Sequence, residues 1–520
     1  MLKTLFLGTC ALGLTACAQT GAPGLNYNDE APVLRTGNPW FDSAQETLAQ
    51  RKAVKPITGH AKNVILFIAD GMDPTTVAAA RIFDGQSRGE EGEENLLSFE
   101  TFPNLAMSKT YTTDYQVPDS AGTMSAMMTG VKTKSGVLSL NDAVKRGDCA
   151  SVAGAMTPTI GELAKQAGMS VGVISTARIT HATPGAVYAH SADRGWEADS
   201  EMPDDAKAAG CKDIASQLLN FPYGGGIDLA LGGGRLMFTP TTVIDPETDG
   251  LAGRRIDGRD LTAEWTAMSD DRVYVWNKKQ FDAAPDTAKI LGLFEASHMQ
   301  YEADRNDAGD GEPSLAEMTA KAIDILSKNP DGYFLMVEGG RVDHAHHAGN
   351  AYRALSDAQA FAKAVAAARA KTREQDTLII ATADHGHTLS FQGYPRKGNN
   401  ILGLATVLDD NGEAMNLKAK GDGKPYTTLA YANGPGAVFR EGADLSKGRP
   451  APDAAAVLAK DYRQQALVPT GGETHGGQDV TIYASGPRAY LFSGVVEQNY
   501  IFHVINDALS LMQRAGAAEN

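Results

Sequence analysis

At 520 residues the chain is too long for one simple core, so it holds either several domains or one large α/β domain carrying insertions. Hydrophobic residues at 42% and charged residues at 21% describe an ordinary soluble globular protein. The net charge of −16 opposes general affinity for nucleic acid or anionic lipid, so a site for an anionic substrate must gather its positive charge locally, from metal ions or a buried arginine.

Residues 1–16 read as a signal peptide, because Lys3 precedes an apolar run, LFLGTCALGL, that is too short to span a bilayer. The run ends in Leu14-Thr15-Ala16-Cys17, which resembles the lipobox of bacterial lipoproteins; that resemblance implies acylation of Cys17. Ordinary cleavage after Ala18 is the alternative. Both readings export the chain, and Ala18 behind a lipidated cysteine implies the outer membrane. Residues 17–37 read as a tether and 38–56 as an arm with a short helix.

A repeating pattern follows: an apolar run, a sharp polar or glycine-rich stop, then a helical stretch. The runs are NVILFIA (63–69), SVGVIST (170–176), IDLALGG (227–233), YFLMV (333–337) and TLIIATA (377–383). Such near-continuous runs suit strands buried on both faces, and helices such as Thr159–Ala167 and Ala351–Lys371 alternate with them. The fold class is therefore α/β, with a doubly wound, mainly parallel central sheet and helices on both faces. Residues 57–389 are expected to form the core and 390–474, rich in Gly, Pro, Lys and Asp, an inserted subdomain. Residues 475–520 complete the core with VTIYAS, AYLFSG and a helical IFHVINDALSLM. Cys149 and Cys211, the two cysteines outside the signal region, most simply form one disulfide.

Reactive groups in an open α/β sheet gather beyond the carboxyl ends of its strands. Four of the five runs lead to a metal or phosphate ligand type: Asp70; His181 and Thr183; Glu338 followed by Asp343, His344, His346 and His347; and Asp384-His385-Gly386-His387. In a helix over 342–347, Asp343 and His347 stand at i and i+4 and point the same way. Asp384 and His385 can share an ion only where the chain turns sharply, which Gly386 permits. His475 sits in a further glycine-flanked loop. Mixed imidazole and carboxylate sets suit zinc, and all-oxygen sets suit magnesium.

The strings DGM (70–72), VPDSAGT (117–123), THATPGAVYAHSADRGWEAD (180–199), LGGGR (231–235), VEGGRVDHAHH (337–347), TADHGH (382–387) and ETHGGQD (473–479) occur in this order. Together they resemble the alkaline phosphatases, and more closely the animal type than the enterobacterial one. The resemblance implies hydrolysis of phosphate monoesters through a phosphoserine on Ser120. It implies one zinc on Asp343, His347 and His475, a second on Asp70, Asp384 and His385, and magnesium on Asp70, Thr183 and Glu338. Arg194, oriented by Asp119, is expected to clamp two phosphate oxygens, with His181, His344 and His387 close by. It also implies calcium on Glu247, Glu295, Glu312 and the Phe294 carbonyl, a homodimer, and a crown-like role for 390–474. The sequence departs from the family pattern at Asp73, where many relatives have glycine. It departs again at His181, where enterobacterial members have Asp, and at Gln478, where an acid is frequent.

The rivals are a phosphodiesterase or sulfatase of the same superfamily, and a non-catalytic protein binding metal or phosphate. The sulfatase signature C/S-x-P-x-R is absent after Ser120. Diesterases typically lack an equivalent of Arg194 and a magnesium site, whereas Arg194, Thr183 and Glu338 are all present. No catalytic position is lost, as the non-catalytic reading requires.

Overall fold

The computed structural model describes residues 37–518 except 440, 441, 443, 445 and 447, so the expected signal peptide, Cys17 and residues 18–36 of the tether lie outside the described residues. Two compact units divide at Val54/Lys55. The described part of the first is a helix, Pro39–Ala53, started by Pro39 and by the Asn38 side chain, which accepts from the backbone N–H of Trp40 and Phe41.

The second unit is built on a ten-stranded sheet. In chain order its strands are β1 (Asn63–Ala69), β2 (Asn104–Lys109), β3 (Ser170–Arg178), β4 (Leu229–Gly233), β5 (Arg272–Val275), β6 (Lys289–Leu293), β7 (Tyr333–Gly339), β8 (Thr377–Thr382), β9 (Val480–Ser485) and β10 (Val495–Glu497). Their spatial order is β10-β2-β9-β8-β1-β7-β3-β4-β6-β5. β9 runs antiparallel to both neighbours, and the remaining neighbours pair in parallel. All five apolar runs are strands. The other five escape the apolar-run pattern or, for β9, are assigned only to the core: β2, β5 and β10 are short and include half-exposed or exposed positions, and β6 is a short run beside an edge.

Burial on both faces explains the apolar runs. In β1, Val64, Leu66 and Ile68 enter one core, while Ile65, Phe67 and Ala69 enter the other. The first core is closed by the helices Ser120–Thr129, Ile160–Gln166 and Tyr500–Leu509; the second by Pro74–Ser87, Leu315–Leu326 and Ala351–Lys371. Local chemistry starts these helices. Thr159 with Glu162, and Ser314 with Glu317, form reciprocal capping boxes, and Asp73 caps the helix that begins at Pro74. The expected single helix IFHVINDALSLM is broken, because Ser510 takes a left-handed conformation and Leu511–Ala518 starts afresh. AYLFSG, expected only to help complete the core, begins with a single turn of 3-10 helix at Ala489–Leu491.

Residues 390–474 carry a strand, Leu429–Gly434, that pairs with Leu389–Phe391 on one side and Ala466–Pro469 on the other, and a small hairpin of Thr406–Leu408 with Ala414–Asn416. Cys149 and Cys211 are joined by a disulfide. Among the described residues no helix is long and apolar enough to cross a membrane.

Phe361, on the Ala351–Lys371 helix, packs edge-on against Phe67 of β1 and Phe99, each 5.8 Å away between ring centroids. Truncating a buried ring removes its transfer energy and leaves a cavity. Phe361→Ala is expected to lower the unfolding free energy by about 3–5 kcal/mol, read by chemical denaturation with the site loaded.

Candidate active site

The strands β8, β1, β7 and β3 are neighbours, and their carboxyl ends deliver the candidate ligands to one place. Asp70 follows β1, Glu338 is the next-to-last residue of β7, the helix Arg341–His347 follows it, and Asp384-His385 follows β8. Thr183 lies beyond β3 and Ser120 opens the first helix after β2.

Three clusters result, each with donor atoms within 4.8 Å of one another: Asp343, His347, His387 and His475; Asp70, Asp384 and His385; and Asp70, His181 and Glu338. In the first, Asp343 Oδ1 lies 3.2 Å from His347 Nε2 and 3.3 Å from His475 Nε2, and the two nitrogens are 3.2 Å apart. A tetrahedron with metal–ligand bonds of about 2.0–2.1 Å has edges of about 3.3 Å. In the second, His385 Nε2 lies 3.3 Å from both Asp70 Oδ1 and Asp384 Oδ2, and Ser120 Oγ is 3.1 Å from the same nitrogen. The His385 and His475 rings stack at 3.6 Å and join the two clusters.

The donors fit cations for a second reason. Both oxygens of Asp70, one each of Glu338 and Asp384, the Thr183 hydroxyl and the Nδ1 atoms of His181 and His385 are buried without a hydrogen-bond partner. Buried polar groups are ordinarily satisfied. Burial, followed by the charges of Asp384, Asp343 and Glu338, holds Asp70 well above the usual carboxylate range. Burial likewise raises Glu338, up to about 8, with Asp384 and Asp343 adding to it against the hydrogen bond from Ser175. Asp343 has the opposite balance: burial would raise it, but hydrogen bonds from His347, His387 and His475 hold it well below.

The chain supplies its own positive charge through Arg194. Nη1 donates to Asp119 Oδ2 at 3.1 Å, and Nη2 lies 3.2 Å from His181 Nε2. Asp119 also caps the helix Ser120–Thr129 through Gly122 N and accepts from Gly136 N. Burial would raise its pKa, but Arg194 and these N–H groups hold it below the usual range. Ser120, 3% exposed, therefore sits at the positive end of a helix, beside a charged fork. The loop bearing Arg194 is pinned by Arg194 N to Gly136 O and by His190, whose Nδ1 faces Ser139 O and whose Nε2 faces Glu162. Both partners are acceptors, which favours the doubly protonated ring. Burial opposes this, but Glu162 and Ser139 raise the pKa of His190 overall.

Not every candidate converges on Ser120. His344 lies against Arg341 Nη1 at 3.1 Å, and its ring meets that of His298 at a tilt, 4.1 Å between centroids. Glu247, Glu295 and Glu312 do not come within 4.8 Å as the three clusters do. Glu247 pairs with Arg235, and Gln300 donates to Glu295 by its side chain and to Glu312 by its backbone. Burial, then Glu295, still pushes Glu312 up to about 9.

Sequence reasoning missed Glu473, Ser175 and His298, and named His346 without giving it a role. Glu473 Oε2 accepts from His387 Nδ1 at 2.6 Å; burial would lower the pKa of His387, but Asp343 and Glu473 push it up to about 10. His346 bridges Thr76 and Tyr431 and stacks on His387. Ser175 donates to Glu338, and His298 contacts Arg178. Only Glu473, two residues before His475, had a local signal. Gly386 is needed for close approach rather than for a turn: a Cβ there would lie 2.7 Å from Gln478 Nε2 and 2.8 Å from Asp73 Cβ.

A family model described as alkaline phosphatase matches residues 61–511. The chain is 44% identical over 477 residues to the human tissue-nonspecific alkaline phosphatase, covering 90% of this chain and 87% of that protein. It is 43% identical over 483 residues to an alkaline phosphatase of Gadus morhua, covering 91% and 97%. Among solved structures, the alkaline phosphatase of Thermus thermophilus superposes with a TM-score of 0.61 at 23% identity, covering 89% of this chain and 96% of that one. That of the Antarctic bacterium TAB5 gives 0.58 at 22%, covering 87% and 99%.

Three outcomes are expected, the first two read by calorimetry and the third by denaturation. Stripping divalent ions is expected to lower the melting temperature, and ions at 1,000 times their dissociation constant to restore about 4 kcal/mol. Asp70→Asn is expected to stabilise the stripped protein, by removing an uncompensated buried charge, and to abolish most of the gain on adding metal. Calorimetry with and without chelator reads both. For His190, the raised pKa means that its contribution is complete below about 6.5 and is lost as pH rises through the folded value. Glu162→Gln keeps the helix cap but is expected to cost about 1–2 kcal/mol below that range and to flatten the pH dependence, read by denaturation from pH 5 to 9.

Proposed function

Because the chain belongs to the alkaline phosphatase family, and is therefore a metal-dependent phosphoric monoester hydrolase, we propose that Ser120 is its nucleophile and carries the phosphoryl group between two half-reactions. The observation that carries this reading is the placement of Ser120 Oγ, 3.1 Å from His385 Nε2 at the start of a helix capped by the residue that holds Arg194.

In the first half-reaction Ser120 Oγ attacks phosphorus, the ester P–O bond breaks, and the alcohol leaves with a proton. In the second, water attacks the same phosphorus, the Oγ–P bond breaks, and inorganic phosphate departs. Arg194 offers a planar fork to the equatorial oxygens, with Asp119 fixing its angle. The helix N-terminus adds a fixed positive field, so the chain mainly positions groups and offsets charge.

We assign Asp343, His347 and His475 to one zinc, Asp70, Asp384 and His385 to a second, and Asp70, Thr183 and Glu338 to magnesium. When bound, these ions supply the charge that makes a hydroxyl acidic near neutral pH and offsets charge on the departing oxygen. His387 and His181 position the first and third sets, and His344 orders their border with Arg341. Glu247, Glu295, Glu312 and the Phe294 carbonyl are the calcium set that the family resemblance implies; the charge of Glu295 on Glu312 supports it, while the pairing of Glu247 with Arg235 and the spread of the three acids count against it.

We also propose export to the periplasmic face or cell surface, lipid anchoring through Cys17, favouring the outer membrane, and a homodimer acting on small phosphate monoesters. In this reading 57–389 with 475–520 form the catalytic body and 390–474 a crown, which with the helix expected over 38–52 makes the dimer contacts. A disulfide between Cys149 and Cys211 supports an oxidising compartment.

The test compares initial rates on p-nitrophenyl phosphate and bis-p-nitrophenyl phosphate near pH 9 with zinc and magnesium. A strong monoester preference that falls at least about 10³-fold in Ser120→Ala is expected. Diester preference would overturn the roles given to Arg194 and the magnesium set, and an unimpaired variant would overturn the nucleophile.

A further inference from the structure

Asp73 is fully buried, so both of its oxygens need partners. Oδ1 accepts from Thr76 N at 2.8 Å and caps the helix Pro74–Ser87. Oδ2 accepts from Gln478 Nε2, and His387 N lies 3.4 Å from it. The same Gln478 nitrogen donates to His387 O at 2.7 Å, so both hydrogens of the amide are spent. A carboxylate at 478 could make neither bond.

Glycines clear the space for this arrangement. A Cβ at Gly476 would lie 2.0 Å from Gln478 Oε1, and one at Gly386 would strike both Gln478 and Asp73. His475-Gly476 and Gly386-His387 face each other as an antiparallel pair. The contact between Asp73 and Gln478 therefore ties three segments, and each carries a candidate ligand within three residues: Asp70 before Asp73, His385 before His387, and His475 before Gln478. It also joins two positions where the sequence departs from the family pattern. A side chain with an acid stands where many relatives have glycine, and an amide stands where an acid is frequent.

We propose that Asp73 and Gln478 are a positioning pair that locks the Asp70, His385 and His475 segments together and sets how long both zinc sites retain their ions. The pair touches neither ion nor substrate. The inference rests on the metal assignment above. It separates from a bare helix cap, because a cap needs Thr76 and not Gln478.

The experiment follows zinc release from the fully loaded, full-length enzyme to a chromogenic chelator, beside melting temperature, kcat and KM. Gln478→Glu sets a second carboxylate against Asp73 and is expected to speed release about 10-fold, within the range for groups that orient metal ligands. Gln478→Ala, which adds no charge, is expected to speed it less. The exchange Asp73→Asn with Gln478→Glu restores a donor facing a carboxylate but not the donor to His387 O, and is expected to recover part of the loss, with release slower than in Gln478→Glu alone. At saturating zinc KM is expected to hold. Unchanged release in both Gln478 variants would overturn the proposal, as would an exchange no better than Gln478→Glu. Should Gln478→Glu fold poorly, Gln478→Ala and the exchange decide alone. If the unaltered chain itself held no zinc, the metal assignment would fall and take this inference with it.

Discussion

The constraint on which the site depends is the charge of Asp70. Its carboxylate is buried at the end of a central strand, both oxygens lack hydrogen-bond partners, and Asp384, Asp343 and Glu338 add like charge. A hydrophobic alternative would remove the cost, and the chain instead gathers more acids around it. Burying like charges is unfavourable by several kcal/mol per ion unless opposite charge compensates them. The nearby imidazoles of His181 and His385 do not compensate, because burial drives both toward the neutral form. A proton or cations from solution must, so metal uptake, pH and stability are linked through one residue shared by two clusters.

The parallel sheet makes that concentration of ligands possible. Four adjacent strands, buried on both faces, end at the same level, and their exits need no insertion to meet. The guanidinium of Arg194 comes from a loop instead. Its position is secured by Asp119, which links the start of the Ser120 helix, Gly136 and the guanidinium. Nucleophile and clamp thus share one anchor, and a shift in either moves the other.

Residues of the 390–474 stretch also reach the centre. Tyr431 holds His346, and Glu473 holds His387, which lies 2.8 Å from Asp343 Oδ1. The imidazoles around Asp343 are therefore oriented from two directions: from the strand ends, and from this stretch.

The sequence alone determined the elements whose physics is local. Continuous apolar runs marked strands buried on both faces, Asn38, Thr159 and Ala351–Lys371 marked helix starts and extent, and spacing put Asp343 and His347 on one face. The motif strings carried Ser120, Arg194 and the ligand types together. Only the tertiary structure decided the short, part-exposed strands at the two margins of the sheet, β10 and β2 on one side and β5 on the other, and the antiparallel course of β9. It also decided the contacts of His298 and His346, the reason for Gly386, and the bond between Asp73 and Gln478, which are 405 residues apart. Those depend on which strand ends lie side by side and in what register, and no local pattern of polarity or propensity encodes that choice.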